Sequence, residues 1–336
     1  MKNLKKLPLI LSILSLASFI TPVNADVKVV ASIKPLHSLA SYLMDGVGKP
    51  DLIVEGYGSP HGFSMKPSHA KILQNADLIF WVGEDLEIFL EKPLSSIAKK
   101  AEKIELMEIK GLNVLKFRER NIFDEHDHDD HDDHGKKEDD HDDHEHDDHG
   151  KKEEHADHDD HDGHEGHAHG EYDPHIWLDP MNAKVILNKM VEHLIENDAK
   201  NASKYKSNLK NAFKDIDKLT ADVKADLSKS TASIVFHDAY QYFEERFDIN
   251  ILGAFTVNTD VMPGAEQLSE IREIIEHDKV SCIFSEPQFN PDIINAVAKD
   301  MDIKTGILDP LGATLNPGKN LYFDLIRNMS DSFKGC

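Results

Sequence analysis

Val27-Lys-Val-Val-Ala-Ser-Ile33, followed at once by helically spaced apolar positions from Leu36 to Leu43, reads as a buried strand handing over to a helix. The exchange then recurs. Leu52-Ile-Val54 is a short strand that runs into a Gly/Pro loop over 56–60. A helix over 68–75, the strand Leu78-Ile-Phe-Trp-Val82 and a helix over 86–100 follow. Strands alternating with helices predict a parallel sheet with helical crossovers. A second alternation starts later, with strands over 233–236, 251–255, 281–284 and 305–308 and helices over 240–246, 265–276 and 291–301. Between the two, Val185, Ile186, Met190, Leu194 and Ile195 fit a helix after Pro180. From about 202 to 228, Tyr205, Leu209, Phe213, Ile216, Leu219 and Val223 recur at three- and four-residue spacing without Gly or Pro. That predicts a single helix of about seven turns. The expected fold is α/β: two lobes with parallel sheets flanked by helices, joined by a long helix. The expected boundaries are 26–200 for the first lobe, 201–230 for the linking helix and 231–336 for the second lobe.

The ends of the chain carry information about compartment. Lys2, Lys5 and Lys6 form a basic start, 7–20 is apolar, and Val23-Asn-Ala25 is a small-x-small cleavage site. Residues 1–25 therefore read as a secretory signal peptide, too short for a comfortable membrane span. The alternative is a retained N-terminal anchor. No cysteine lies near the cleavage site, so a lipid anchor is not expected, and no second apolar run of about 18 residues follows. The two cysteines, Cys282 and Cys336, are expected to pair in an exported chain and to pin the C-terminus to the body. A free, buried Cys282 is the alternative. Together these features fit a soluble periplasmic protein of a Gram-negative bacterium.

The segment 124–171 breaks the α/β pattern. Of the chain's 21 histidines it holds 14: His126, His128, His131, His134, His141, His144, His146, His149, His155, His158, His161, His164, His167 and His169. It carries 23 Asp/Glu against four Lys, which accounts for −19 of a formal net charge of −24. The acidity is thus local, and it argues against nucleic acid as a partner. The segment repeats itself, His131-Asp-Asp-His-Gly-Lys-Lys-Glu138 recurring at 146–153. With almost no apolar residues it cannot bury a core, and it is expected to be disordered without metal. Imidazole nitrogen and carboxylate oxygen are the donors that borderline divalent ions accept. The run points to metal, as an auxiliary, lower-affinity site. The alternative is a solvated acidic loop.

Three solitary histidines sit where a strand gives way to a helix. His61 lies in Gly58-Ser-Pro-His-Gly-Phe63, His175 in Tyr172-Asp-Pro-His-Ile-Trp-Leu-Asp-Pro180, and His237 in Val235-Phe-His-Asp-Ala-Tyr240. Ligands of open α/β sheets bind at the carboxyl ends of the strands, where three such loops can supply most of a tetrahedral zinc shell. His69, at the start of a helix, is expected to be solvated. His193 and His277 are expected to be inert on charged helix surfaces, and His37 is not expected to bind metal. Trp81 and Trp177 are expected in the core.

These motifs, with Lys66-Pro-Ser68, Ser285-Glu-Pro-Gln-Phe289 and Leu308-Asp-Pro-Leu-Gly312, resemble the ZnuA family, the zinc branch of the metal-specific solute-binding proteins of ABC importers. The resemblance covers the whole mature chain in order. It implies a metal site in the cleft between the lobes, with His61, His175 and His237 as zinc ligands. His237 stands where manganese members tend to place a carboxylate, and more nitrogen with less oxygen favours Zn²⁺ over Mn²⁺. Asp309 is the implied candidate for the fourth position, directly or through a metal-bound water. Pro60 stands where some zinc members have a Glu. Glu286 is a candidate to orient an imidazole N–H, or else a pocket carboxylate bonded to backbone. The resemblance also implies the Cys282–Cys336 disulfide. It implies as partners an inner-membrane permease and its ATPase, with zinc as cargo and no enzymatic turnover. A monomer is expected. Two other readings stay open at this point. One is a periplasmic zinc buffer or chaperone working mainly through the histidine run. The other is a secreted zinc hydrolase, although the chain has no HExxH and no clear base–nucleophile pair.

Overall fold

Uninterrupted apolar runs become strands buried on both faces, as a parallel sheet covered by crossover helices demands. In the computed structural model β1 (Val29–Ala31) and β3 (Leu78–Trp81) are buried at every position. They pair in parallel, Val29 with Leu78 and Ala31 with Phe80. With β2 (Asp51–Leu52) and β4 (Glu102–Glu105) they form a sheet in the order β2-β1-β3-β4. The second sheet repeats this order as β6-β5-β7-β8, from β5 (Ser233–His237), β6 (Ile251–Thr256), β7 (Cys282–Ser285) and β8 (Lys304–Ile307). All pairings within both sheets are parallel. The structure describes residues 27–118, 120–122, 170–227, 231–257, 259, 261–299, 301 and 303–336. The signal-peptide reading and the histidine run lie outside the described residues.

Helices connect and cover the strands. The first lobe has α1 (Lys34–Leu43), α2 (Pro67–Asn75), α3 (Glu84–Ser96) and α4 (Pro180–Asn197). Prolines open α1, α2 and α4, where a missing N–H costs nothing. The long helix α5 (Ala202–Asp226) buries Tyr205, Asn208, Ala212, Ile216, Leu219 and Val223 along one stripe. The polar member of that stripe is satisfied, since the Asn208 amide donates to Leu43 O and Asp45 O at 2.7 and 3.0 Å. The second lobe carries α6 (Gln241–Phe247), α7 (Ala265–His277), α8 (Asp292–Lys299) and α9 (Leu321–Lys334).

Strand periodicity splits the second sheet between two cores. Ile234, Phe236 and Ile283 pack with Ile271, Ile275, Ile294 and Val297 of α7 and α8. Val235, Cys282 and Phe284 face the other way, into a core that continues through α5 and α9 to the first sheet. Helix α9 therefore crosses back to the first lobe. It packs on α1 and α5, and Tyr322 N–H donates to Ser38 Oγ at 2.9 Å. The Cys282–Cys336 disulfide ties the end of α9 to β7, with the Cα atoms 5.8 Å apart.

One local reading is corrected, that of His69, and two features come from the fold alone. Glu-Lys-Ile-Glu at 102–105 is strand β4, although only Ile104 is buried, because its charges lie on the sheet's edge. His69 is 4 % exposed and not solvated. Its Nδ1 accepts the Lys66 N–H at 3.1 Å, so the imidazole caps α2. Helix α3 is kinked at Glu87 (φ −124°, ψ 48°), which turns that carboxylate inward to accept the N–H groups of Val82 and Gly83 at 2.7 and 3.2 Å. Among the described residues, no helix is long and apolar enough to cross a membrane.

Candidate metal centre

The three solitary histidines converge. One nitrogen from each of His61, His175 and His237 lies within 4.8 Å of the other two. His237 is the last residue of β5, a central strand at the point where the second sheet's order reverses. His61 comes from the loop after β2, at the carboxyl end of the first sheet. His175 precedes a single 3-10 turn, Ile176–Leu178, whose three side chains are all buried. The site thus lies where both sheets present their carboxyl ends, the expected crevice of an open α/β fold.

Spacing and tautomer suit a tetrahedral ion. His175 Nε2 and His237 Nε2 are 3.4 Å apart, and zinc–imidazole bonds of about 2.0–2.1 Å at tetrahedral angles put ligand nitrogens about 3.3 Å apart. The opposite ring nitrogens are held by carboxylates: His175 Nδ1 lies 2.7 Å from Asp173 Oδ1, and His237 Nδ1 lies 2.6 Å from Glu286 Oε1. Where the carboxylate is ionised it only accepts, so Nδ1 carries the proton, and a neutral imidazole then turns the lone pair of its Nε2 to the centre. Asp173 Oδ1 also accepts the His175 backbone N–H at 2.9 Å, and Tyr240 OH donates to Glu286 Oε1 at 2.9 Å.

The electrostatics differ between the two buried imidazoles. Burial, and then repulsion from His237, hold His175 well below the ordinary histidine range, so it is neutral and ready to coordinate. Burial works against a charge on His237 as well. The attraction and hydrogen bond of Glu286, helped by Asp238 and Asp173, outweigh that and raise its pKa. Burial lifts Asp173 and Asp238 to about 7 against the pull of nearby cationic groups, Arg118 among them.

The loop that carries His175 is fastened to the second lobe at several points. Trp177 Nε1 donates to Pro310 O at 2.8 Å, and Tyr322 OH donates to Trp177 O at 2.9 Å. Tyr242 OH donates to Asp173 O at 2.7 Å. Arg246 grips Asp179 with two hydrogen bonds of 2.7 Å, the planar fork geometry that makes such pairs strong. A strap of residues 113–118 and 120–122 crosses the same boundary. Arg118 meets Asp238 and Glu244 at 3.1 and 3.0 Å. Ala254 N–H donates to Asn121 O at 2.8 Å, and Ile122 bridges Gly253 on the edge of β6. Phe117, Gly170 and Tyr172, which flank the histidine run in the chain, line a cavity shared with all three histidines.

Asp309 does not join the histidine cluster. Its Oδ1 accepts Ala313 N–H at 2.8 Å, and its Oδ2 accepts the N–H and hydroxyl of Thr314, each at 3.0 Å. It braces its own loop, whose carbonyls at Gly312, Ala313 and Leu315 also receive the buried Lys34 ammonium at 2.7–3.2 Å. Glu286 stands against His237 as described. Sequence reasoning missed Asp173, Tyr240, Arg118 and Arg246. Asp173 left a signal, a carboxylate two residues before His175, whereas the arginines act across the lobe boundary and left none. The two cavities that meet at the histidines have room for about 10 Å³ each. That is the volume of one ion or water, far below the roughly 300 Å³ at which small-molecule pockets begin.

Comparison with known proteins places the chain among relatives. A family model described as ZnuA, zinc-uptake complex component A, periplasmic, matches residues 29–336. The chain is 46 % identical over 310 residues to the high-affinity zinc uptake system protein ZnuA of Brucella abortus (strain 2308), covering 92 % of this chain and 91 % of that one. It is 38 % identical over 340 residues to the protein of the same name from Haemophilus influenzae, covering 100 % and 99 %. Among solved structures, a zinc-bound deletion mutant of ZnuA superposes with a TM-score of 0.70 at 18 % identity, over 92 % of this chain and 97 % of that one. The laminin-binding adhesin of Streptococcus agalactiae superposes at 0.66 with 20 % identity, over 91 % and 99 %. At such identities the structures speak for the fold alone.

Proposed function

The chain belongs to the ZnuA family, the periplasmic component of zinc uptake, and on that premise we propose that it captures Zn²⁺ between its lobes and delivers it to an ABC permease for high-affinity import. The observation that carries this reading is the pair of imidazole nitrogens 3.4 Å apart, each backed by a carboxylate on its far side. His61, His175 and His237 supply three ligands. A water is the fourth ligand in this reading; Asp309, whose oxygens accept the backbone N–H groups at 313 and 314, still has lone pairs to offer and is the alternative. No bond is made or broken in the cargo. Binding displaces a proton where His237 is charged, so protons compete with zinc. The ATPase-driven permease is the partner, and the signal peptide directs the chain to the periplasm. The histidine run serves as an accessory store of metal beside the cleft.

The test is a competition titration of zinc against a chelator for His61→Ala, His175→Ala and His237→Ala. Each should lose more than the roughly 10- to 100-fold that loss of a supporting contact costs. Unchanged tight binding in all three sinks the assignment. Removing residues 125–170 should leave one tight site and abolish only weaker stoichiometry. Loss of the tight site on that deletion would favour a buffer acting through the run.

A further inference from the structure

A second group of metal donors lies outside the cleft. Glu102, His193 and Glu196 each offer one donor atom, and the three atoms fall within 4.8 Å of one another. Glu102 begins β4 at the amino end of the first sheet, opposite the end that carries the cleft, and His193 and Glu196 lie near the end of α4. An i, i+3 separation puts His193 and Glu196 on one face of that helix. His193 Nδ1 stands 2.7 Å from Glu102 Oε1 and 3.6 Å from Glu196 Oε2.

Three observations raise this group above a chance ion pair. The His193 side chain is only 13 % exposed. Neither of its ring nitrogens reaches solvent or makes a well-directed hydrogen bond, even though Nδ1 is so close to a carboxylate. A shielded polar group left in that state is one that an ion would relieve. Glu102 is also oriented from behind, for its other oxygen, Oε2, accepts the Asn197 amide at 3.0 Å and leaves Oε1 aimed at the imidazole. Supporting hydrogen bonds of this kind are what hold carboxylate ligands in place. Finally, the cluster opens on a groove of about 650 Å³ whose lining includes Glu105, Glu108 and Glu192. Lys103, Lys110 and Lys189 line the same groove, so it offers an ion an open path to the three donors rather than a strongly negative field.

We propose that Glu102, His193 and Glu196 form a second divalent-metal site on the first lobe. One imidazole and two carboxylates suit a borderline ion such as Zn²⁺. With one nitrogen in place of three, and with both glutamates exposed, the site binds more weakly than the cleft and exchanges faster. It loads only after the cleft is filled.

The test is anomalous scattering at the zinc edge from crystals of the full mature chain equilibrated with zinc. The expected map has one peak among His61, His175 and His237 and a second among Glu102, His193 and Glu196. His193→Gln should erase the second peak and leave the first at full height, which also certifies the fold of the variant. Glu102→Gln should weaken the second peak in the same selective way. A map with the cleft peak alone overturns the proposal, as does a second peak that persists in both variants. A second peak without a cleft peak would overturn the cleft reading and leave this one standing.

Discussion

Nδ1 of His237 stands 2.6 Å from Oε1 of Glu286, at the end of the neighbouring strand, and Tyr240 donates to that same oxygen. The carboxylate does two things at once. It fixes the tautomer that turns Nε2 toward the cleft, and it raises the His237 pKa against the opposing effect of burial.

Glu286→Gln separates these effects. The amide accepts from Nδ1–H through its oxygen but carries no charge. Zinc affinity at pH 8 should fall by about 10- to 100-fold. The pH dependence should move too. In the parent chain His237 is protonated up to a higher pH than an ordinary histidine, so zinc begins losing to protons early as pH falls. Without the charge, that onset shifts to lower pH. Zinc titrations at several pH values check both arms, and an unchanged pH profile would show that the carboxylate does not set the His237 charge.

Glu87 gives a stability prediction that does not involve metal. Its carboxyl is fully buried, and burial raises it from 4.5 to about 7. Between those values the folded chain holds a proton that the unfolded chain has lost. The contribution is therefore complete below 4.5 and disappears as pH rises through 7, a change of about 3 kcal/mol. Glu87→Gln keeps an oxygen for the N–H groups of Val82 and Gly83 and removes the titration. Unfolding midpoints at pH 5 and pH 8 should differ less in the variant than in the parent, with the variant the more stable at pH 8. Equal pH slopes in the two proteins would count against it.

How much of this was legible in the sequence follows from the range of each interaction. The strand–helix alternation shows because an apolar run or a three-to-four periodicity is local, and both sheets follow from it. Strand β4 stayed hidden because an edge strand keeps its charges, and α9 because its apolar face, Leu321 to Phe333, is recognised only against α1 and α5. His61, His175 and His237 stand out because each sits alone in a turn rich in Gly, Pro or Asp. The partners that fasten their loops, Arg246 to Asp179 and Tyr322 to Trp177, are 67 and 145 residues away in the chain. No local pattern encodes such pairs. Asp309 is a mixed case. The resemblance nominates it for the fourth position, and no local pattern announces that its oxygens also accept from Ala313 and Thr314.

The disulfide should dominate the stability of the second lobe. Cys282 and Cys336 are 54 residues apart, and closing a loop of that length in the unfolded chain is worth about 4 kcal/mol in the chain-entropy model. Cys336→Ser leaves the buried Cys282 thiol in an apolar setting, which it tolerates. The unfolding midpoint should fall by on the order of 10 °C. Reduction of the parent chain with dithiothreitol should reproduce that fall, and a reductant that leaves the midpoint unmoved would argue that the bridge contributes little.

Gly253 tests the strap. Its backbone φ lies outside the left-handed region, so its lack of a side chain is a matter of space. A Cβ there would sit 2.7 Å from Asn121 O, a backbone atom that cannot swing aside as a flexible side chain can. Asn121 O is also the acceptor for Ala254 N–H, and Asn121 Nδ2 donates to Phe255 O at 2.9 Å. The added methyl therefore pushes the strap off the edge of β6 and strains the hydrogen bonds around it. Gly253→Ala should cost about 1–3 kcal/mol, as overpacking does. At Gly264 the added carbon meets nothing within 4 Å, so Gly264→Ala should stay within about 1 kcal/mol, the small loss of an Ala in place of Gly before a helix. Hydrogen exchange adds a local readout, because Ala254 N–H should exchange faster in Gly253→Ala while amides of the first sheet keep their protection. Equal stability of the two variants, with the Ala254 amide still protected, would mean the strap does not need the close approach that Gly253 permits.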